Sequence, residues 1–212
     1  MCRLLYVKSN TKFNVRRYLV PFADMCKNNR VYQGHGWGFS TLTSDGWQHY
    51  KNISPIWEDK NYGALKTKLL IAHARSAFED KDIIVKNNMP FHDAKYVFVF
   101  NGELRNVRIK SKGRIGAEKI FNFIKKFDKG EIEAAMEKGI KIIKKRTLNL
   151  RGMNIIITDS KSAYAYSTFT KDDDYFTMRY SIDNGRTIIC SERININVTW
   201  QKVLTNKVLV FK

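Results

Sequence analysis

The second residue of the chain is a cysteine, and this position allows chemistry that an internal cysteine lacks. Methionine aminopeptidases generally remove Met1 when the next residue is small, which would leave Cys2 with a thiol and a free α-amine. These groups have reference pKa values near ~8.5 and ~7.7–8.0, so both titrate close to neutrality. One residue could then supply the attacking thiolate and the group that moves the proton. Alternatively, Cys2 is a small buried side chain without a catalytic role, as most cysteines are.

Two further positions could complete a site that acts on an amide. Asn101 and Gly102 follow the apolar segment from Tyr96 to Phe100 and offer a side-chain amide beside a backbone N–H, two donors suited to an oxyanion. Asn-Gly is equally the sequence of an ordinary turn. Arg75 ends the apolar strand predicted from Lys68 to Ala74. Its planar guanidinium suits a substrate carboxylate, or a salt bridge at the strand end.

Other kinds of site lack their usual sequence patterns. The four histidines have no helical i, i+4 pairing and no Cys-x-x-Cys companion, so we expect neither a metal nor a cofactor. No Gly-x-Ser-x-Gly motif occurs, which disfavours a serine hydrolase.

Composition restricts the class of protein further. The chain has 212 residues, 43% of them hydrophobic, which is enough for one ordinary core and too much for a disordered chain. Three widely spaced cysteines exclude a disulfide scaffold and favour a reducing compartment. No apolar run is long enough to cross a membrane, and Lys8 interrupts the apolar start too early for a signal peptide. We therefore expect a cytoplasmic protein without membrane contact.

The net charge of +18 is large and unevenly distributed. Between Arg105 and Arg151 there are 15 basic and five acidic residues. A surplus of this size favours association with anionic partners but does not report on the fold. No phosphate-binding loop, zinc-finger spacing or RNA-recognition motif accompanies it, so a nucleic-acid partner is not expected. We interpret the basic stretch as the solvated faces of two helices.

The pattern of apolar residues predicts which elements position these side chains. Period-two alternation and turn residues predict strands, and apolar residues at three-to-four spacing predict helices. The predicted strands are 3–7, 36–42, 47–51, 68–74, 96–100, 154–158, 163–168, 175–180, 187–191 and 207–211; the predicted helices cover 15–26, which Pro21 kinks or divides, 117–127 and 132–143. Strands, two helices and strands again, without a linker, favour a single α+β domain over residues 1–212.

Taken together, the motifs resemble those of class II glutamine amidotransferases, which belong to the N-terminal nucleophile hydrolase superfamily. The resemblance covers nearly the whole chain and rests on MCRLLYV, HGWGFS, IAHARSA, NNMPF, FVFNGEL, GAEKIF and CSER, in this order. It implies a four-layer αββα sandwich forming one glutamine amidotransferase type-2 domain. It also implies that Cys2 attacks a glutamine side-chain amide, that Arg75 binds the substrate α-carboxylate, and that Asn101 and Gly102 form the oxyanion hole.

Several positions depart from the family pattern. The aspartate that would bind the substrate α-ammonium is replaced by Gly116, and the nearby acids Glu103 and Glu118 are the candidates to take over this role. A lost charge-assisted hydrogen bond weakens binding by roughly 1.5–3 kcal/mol, so free glutamine should bind about ten-fold to more than a hundred-fold more weakly unless another acid substitutes. His35, Phe100 and Met89 also replace residues usual in the family.

Two functions follow as hypotheses. The first is an amidohydrolase that acts on glutamine or a γ-glutamyl amide, either with a separate acceptor synthase subunit or alone on a substrate whose amine is modified. The second is a catalytically silent protein whose basic surface binds an acidic protein or nucleic acid.

Overall fold

The computed structural model describes residues 1–59 and 61–212. These residues form strands and α-helices with the following bounds: β1 Arg3–Asn14, α1 Arg16–Lys27, β2 Trp37–Thr43, β3 Gly46–Asn52, β4 Lys66–Ala74, β5 Phe91–His92, β6 Val97–Val107, α2 Gly116–Lys125, α3 Ile132–Lys145, β7 Thr147–Thr158, β8 Ala163–Phe169, α4 Asp173–Phe176, β9 Arg179–Asp183, β10 Arg186–Cys190, β11 Gln201–Lys202 and β12 Val208–Phe211.

The strands form two sheets whose neighbouring strands run antiparallel. Seven strands form the first sheet in the order β11-β9-β10-β1-β4-β2-β3, and five form the second in the order β12-β8-β7-β6-β5. Helix α1 packs on the outer face of the first sheet, and α2 and α3 pack on the second. The order of layers is therefore helix, sheet, sheet, helix, and the predicted αββα sandwich is confirmed.

Alternation along β1 shows how one strand serves two layers. Leu4 and Tyr6 belong to the core between the sheets, whereas Leu5 and Val7 pack with the α1 layer. All four side chains are fully buried. A strand that is covered on both faces has a continuous run of apolar residues in its sequence. Burial of each large apolar side chain contributes about 1.5–3 kcal/mol to the stability of the folded state. This is why the start of the chain, where Cys2 lies, is held firmly in place.

Most predicted elements are confirmed, although β1 continues seven residues beyond its predicted end and β7 begins seven residues before its predicted start. The apolar stripes of α2 and α3 face the second sheet, and their lysines face outward, as expected for an outer layer. Helix α1 runs through Pro21 as one helix, so the alternative that Pro21 divides it is wrong. Asn184 and Gly185 form the predicted turn between β9 and β10, both with positive φ.

Two further differences concern strands near the site. The strand predicted to end at Phe100 continues to Val107, so Asn101 and Gly102 lie inside β6 and not in a turn, because β7 pairs with them. The strand predicted over 175–180 begins instead as the short helix α4, which buries Tyr175 and Phe176 next to each other. The aromatic residues favoured a strand there, but Asp172 adopts a left-handed backbone conformation that starts a turn.

Within the described residues, no helix is both long and apolar enough to cross a membrane.

Candidate active site

Cys2 and Arg75 come together because two strands of the first sheet pair at their ends. Arg3 opposes Ala74 in the β1–β4 register, so the residue before β1 lies beside the residue after β4. The Cys2 Sγ is 3.6 Å from the Ser76 carbonyl oxygen. Residues 73 positions apart in the sequence are thus neighbours through the antiparallel register.

Asn101 approaches Cys2 from the second sheet. The Cys2 backbone N–H donates to Asn101 Oδ1 at 2.8 Å, and this donor identifies which end of the amide is the oxygen. Asn101 is fully buried, and its Nδ2 has no hydrogen-bond partner in the described chain. The opposing residue in β7, Asn154, accepts from Ser167 Oγ and donates to the Phe176 carbonyl oxygen. The second sheet therefore presents one free amide donor next to Cys2.

Gly102 is required by the close approach of β7. A Cβ at this position would lie 2.4 Å from the Gly152 carbonyl oxygen and 2.7 Å from Phe100 Cζ. The phenylalanine that departs from the family pattern at position 100 thus fills the space directly beside Gly102. Since a backbone oxygen cannot move aside, this position accepts no side chain.

Arg75 is buried, with only 5% of its surface exposed, and is already partly bonded. Its Nη1 donates to the Asp82 carbonyl oxygen at 3.0 Å and lies 3.4 Å from Asn88 Oδ1, and its Nη2 lies 3.5 Å from the Lys81 carbonyl oxygen. Burial lowers the pKa of Arg75, although arginine remains charged in proteins. The Nε–H makes no hydrogen bond to the described residues, so the guanidinium retains donors for a carboxylate.

His35 contacts the loop after β4, the same loop whose carbonyl oxygens Arg75 hydrogen-bonds. Its Nδ1 accepts the Ala77 N–H at 2.9 Å, and its Nε2 is 3.7 Å from Asp80 Oδ1. Burial lowers the pKa of His35, so the ring is neutral near pH 7 and Nδ1 can act as an acceptor. His35 therefore positions the loop whose Ser76 carbonyl touches the Cys2 thiol.

Asn88 has a role that the sequence did not indicate. It lies in the NNMPF motif and links Arg75 to the first sheet, because its Nδ2 donates to the Asn52 carbonyl oxygen at 2.7 Å. A Cβ on Gly36 would lie 2.2 Å from that nitrogen, and Gly36 has φ +100°. The glycine beside His35 thus makes room for Asn88.

Glu103 and Glu118 are both paired with arginines. Glu103 bonds Arg105 and Arg151, and Glu118 receives both the side chain and the backbone N–H of Arg114. Burial alone would raise the pKa of Glu103. The hydrogen bonds from the two arginines outweigh burial, so the pKa of Glu103 is lowered. The Arg114 hydrogen bond lowers the pKa of Glu118. Both are therefore ionised, yet in the described structure neither hydrogen-bonds to Cys2 or Arg75.

Two further residues at the site, Gln33 and Tyr175, were missed by the sequence analysis. Both hydrogen-bond the carbonyl oxygen of Met1, the Tyr175 hydroxyl at 2.6 Å and Gln33 Nε2 at 2.8 Å. Neither lies in a recognisable motif, and their sequence separation of 142 residues gives no local signal.

Among the described residues, no group of three or more histidine, cysteine, aspartate or glutamate side chains is arranged to hold a metal ion. The polar groups that converge on Cys2 are instead an amide, a guanidinium, a phenol and backbone groups. Such a set can activate a thiol, bind a carboxylate and donate hydrogen bonds to an oxyanion.

Comparison with solved structures shows the fold of the chain. A glutamine aminotransferase class-II domain protein from Silicibacter pomeroyi matches with TM-score 0.69 and 14% identity, covering 99% of this chain and 94% of that one. A glutamine phosphoribosylpyrophosphate amidotransferase from B. subtilis, complexed with ADP and GMP, matches with TM-score 0.70 and 12% identity, covering 99% of this chain and 47% of that one. A predicted glutamine amidotransferase from Pseudomonas aeruginosa matches with TM-score 0.60 and 15% identity over 99% and 97% of the two chains.

No protein-family model and no curated protein sequence matches the chain. The likeness is therefore one of three-dimensional structure at low sequence identity. The chain has the fold found in class II glutamine amidotransferase domains, as the resemblance predicted.

Proposed function

We propose that this protein is a glutamine amidotransferase-type amidohydrolase in which Cys2 attacks the side-chain amide of glutamine or of a γ-glutamyl compound. The observation that carries the proposal is the contact between the Cys2 backbone nitrogen and Asn101, which brings a buried, unpaired amide donor to the nucleophile. The whole chain then acts as one glutamine amidotransferase type-2 domain.

The proposed reaction proceeds through a thioester. After Met1 removal, the Cys2 α-amine takes the thiol proton and the thiolate attacks the amide carbon. The Asn101 Nδ2 and Gly102 N–H groups donate to the oxyanion as it forms. The Cys2 α-ammonium returns the proton to the leaving nitrogen, the C–N bond breaks, and ammonia or an amine departs. Water then hydrolyses the γ-glutamyl thioester and restores the thiol.

Substrate binding is assigned to three residues. Arg75 binds the substrate carboxylate through the donors that its loop contacts leave free. Glu103 and Glu118 are the acids proposed to face the substrate amine; because arginines already neutralise both, they favour a substrate whose amine is modified over free glutamine. The ammonia acceptor, if one is used, belongs to a separate synthase subunit. We place the reaction in the cytoplasm, where Cys2 remains a free thiol.

Thiol labelling combined with intact mass tests the proposal. The wild-type protein should lack Met1, react once with a glutamine-like diazo-ketone, and hydrolyse glutamine or a γ-glutamyl amide. Cys2→Ala should lose labelling and hydrolysis, whereas Cys26→Ala, which removes a fully buried thiol, should keep both. A protein with a free Cys2 that neither labels nor hydrolyses any γ-glutamyl amide would instead be the silent binder.

A further inference from the structure

Every polar atom of the peptide bond before Cys2 is hydrogen-bonded. Its N–H donates to Asn101 Oδ1, and its carbonyl oxygen accepts from Tyr175 Oη at 2.6 Å and Gln33 Nε2 at 2.8 Å. Two donors from separate parts of the chain therefore converge on one point beside the Cys2 nitrogen.

These donors are built into the protein and do not belong to a mobile surface. Tyr175 is 2% exposed and Gln33 is fully buried. The Gln33 Nε2 also donates to the Val31 carbonyl oxygen at 2.9 Å and lies 3.2 Å from Tyr175 Oη. The Tyr175 Oη also lies 3.5 Å from the Cys2 carbonyl oxygen. Burying two polar side chains costs free energy unless their hydrogen bonds are made, so an oxygen at the point on which they converge stabilises both.

Arg3 fixes the position of the tyrosine. Its guanidinium carbon lies 3.8 Å from the centre of the Tyr175 ring, and its Nη1 donates to the Tyr175 carbonyl oxygen at 3.1 Å. Its Nη2 is 2.6 Å from Glu192 Oε2, which anchors the cation. The hydroxyl of Tyr175 is thus held by contacts to its ring and its backbone, and both remain when Met1 is removed.

Removal of Met1 takes the carbonyl oxygen away and leaves both donors in place. A peptide oxygen lies roughly 2.2 Å from the next nitrogen, so a water between the donors needs to shift by only about 0.5 Å to hydrogen-bond that nitrogen. On the basis of the function proposed above, we infer that Gln33 and Tyr175 are positioning residues that hold a water against the α-amine of Cys2.

The orientation of this water decides which form of the amine it favours. Because it accepts hydrogen bonds from Tyr175 and Gln33, both its lone pairs are occupied and its hydrogens point outward. One hydrogen then donates to the lone pair of the neutral amine, whereas an ammonium would need an acceptor. The water therefore favours the free amine, the form that takes the proton from the thiol.

Other titratable and charged groups also surround the amine. The titratable and charged groups that face Cys2 or the amino terminus from neighbouring elements are Arg75, His35, His73, Tyr175, Cys26 and, through Tyr175, Arg3. Substitutions that keep all of these charges isolate the effect of the water. Tyr175→Phe retains the ring over Arg3, and Gln33→Met is uncharged.

The test is the pH dependence of amide hydrolysis by proteins whose Met1 removal is verified by intact mass. In Tyr175→Phe and in Gln33→Met, the acid limb of the kcat/KM profile should move to higher pH by roughly one unit, since a lost hydrogen bond is worth about one pKa unit. Near pH 6.5, kcat should fall about ten-fold while KM stays within about two-fold. Tyr180→Phe is the matched control, because its hydroxyl bonds Gln201 on the sheet edge.

The outcomes separate this inference from the proposed function. Acid limbs unchanged in both variants, or an equal shift in Tyr180→Phe, would refute the positioned water while leaving the amidohydrolase intact. If the wild type has a free Cys2 but hydrolyses no amide, the proposed function fails. NMR titration of ¹⁵N-labelled Cys2 then decides the inference alone: an α-amine pKa higher in both variants than in wild type supports it, and an equal pKa overturns it.

Discussion

Of the two polar atoms of the Asn101 side chain, one is hydrogen-bonded and the other is not. Oδ1 accepts the Cys2 N–H, and Nδ2 is buried without a partner among the described residues. Leaving a buried donor unpaired costs about 1–3 kcal/mol. A group that donates to an oxyanion has to be unpaired in the resting protein, because the oxyanion carries its full charge only during the reaction.

Asn101→Ala should lower the rate of amide hydrolysis by roughly 10²–10³, the usual effect of losing one oxyanion donor. Asn101→Asp keeps an oxygen for the Cys2 nitrogen but removes the donor, so it should be at least as slow. Steady-state rates at equal occupancy of free Cys2 measure this, with the exposed Asn149→Ala as control. Hydrolysis by Asn101→Ala at the wild-type rate would remove Asn101 from the site.

Gly102→Ala should destabilise the protein because its Cβ would meet the Gly152 carbonyl oxygen at 2.4 Å. Forcing one methyl group into a packed interior costs about 1–3 kcal/mol. Urea unfolding should show this loss, whereas Gly116→Ala, whose Cβ meets nothing within 4 Å, should unfold at the same or higher urea concentration. Equal midpoints for the two variants would contradict the close β6–β7 packing.

At the scale of elements, the start of α2 has room for the acidic side chain that the family pattern places there. Gly116 is the first residue of this helix, its backbone needs no glycine, and the space beyond it is open. An aspartate there fits without a clash and interacts favourably with the helix dipole, by about 0.3–1 kcal/mol.

Gly116→Asp should therefore strengthen the binding of free glutamine. The added carboxylate supplies the charge-assisted hydrogen bond that the family pattern assigns to this position, so the KM for glutamine should fall roughly ten- to a hundred-fold. Gly116→Asn has the same shape without the charge and should change KM by less than about three-fold. A KM unaffected by aspartate would mean that the amine lies elsewhere.

The edges of the two sheets are joined by a pair of histidines. His49 of β3 and His92 of β5 stack with ring centres 3.5 Å apart, and Ser40 Oγ lies 2.7 Å from His49 Nδ1. Burial lowers the pKa of His49 to about 4, with His92 and Lys51 contributing, and burial and Lys51 lower the pKa of His92. Both rings are therefore neutral near pH 7.

Acid should weaken this contact between the sheets. A histidine whose pKa is lower in the folded than in the unfolded state loses stability as pH falls below the unfolded value near ~6.5. Two charges at this distance would repel by about 1 kcal/mol even in water, so the folded protein resists protonation of both rings, and the exposure of the rings limits the effect to this order. The wild type should lose about 1 kcal/mol more than His92→Gln between pH 7 and pH 4.5 in urea unfolding. An equal loss would contradict the pairing.

At the scale of the whole molecule, part of the basic surplus lies in a cavity apart from the proposed site. A cavity of about 500 Å³ on the α3 side is lined by Lys141, Lys144, Lys145 and Lys207, and its lining includes neither Cys2 nor Asn101. Lys144 bonds Asn206 there. These lysines form a surface on the outer layer of the sandwich.

Replacing Lys141, Lys144 and Lys145 together by glutamine should leave kcat/KM for amide hydrolysis within about two-fold of wild type. The reason is that the cavity lined by these lysines includes neither Cys2 nor Asn101, and surface charges are screened beyond about 8–10 Å at physiological salt. The same variant should bind a heparin column less strongly, which confirms that the charge has changed. A ten-fold loss of hydrolysis would place the basic surface in the catalytic machinery.

The sequence alone determined the elements and the identity of the nucleophile candidate. Periodicity predicted α2 and α3 because each buries one stripe, and alternation predicted most strands because each side chain faces one of two layers. Cys2, Arg75, Asn101 and Gly102 were named from residue types whose chemistry is local. The strand predicted at 175–180 was wrong because adjacent aromatic residues are compatible with either a strand or a short buried helix.

Only the tertiary structure decided which side chains that are distant in the sequence contact each other. Gln33 and Tyr175 meet at the Met1 carbonyl, and Asn88 reaches Arg75, through packing between elements that no spacing encodes. The structure also showed that Glu103 and Glu118 are already paired with arginines, since a carboxylate's partners depend on register and rotamer. Residue chemistry can be read from the chain one position at a time, whereas hydrogen bonds across two sheets exist only once the sheets are packed.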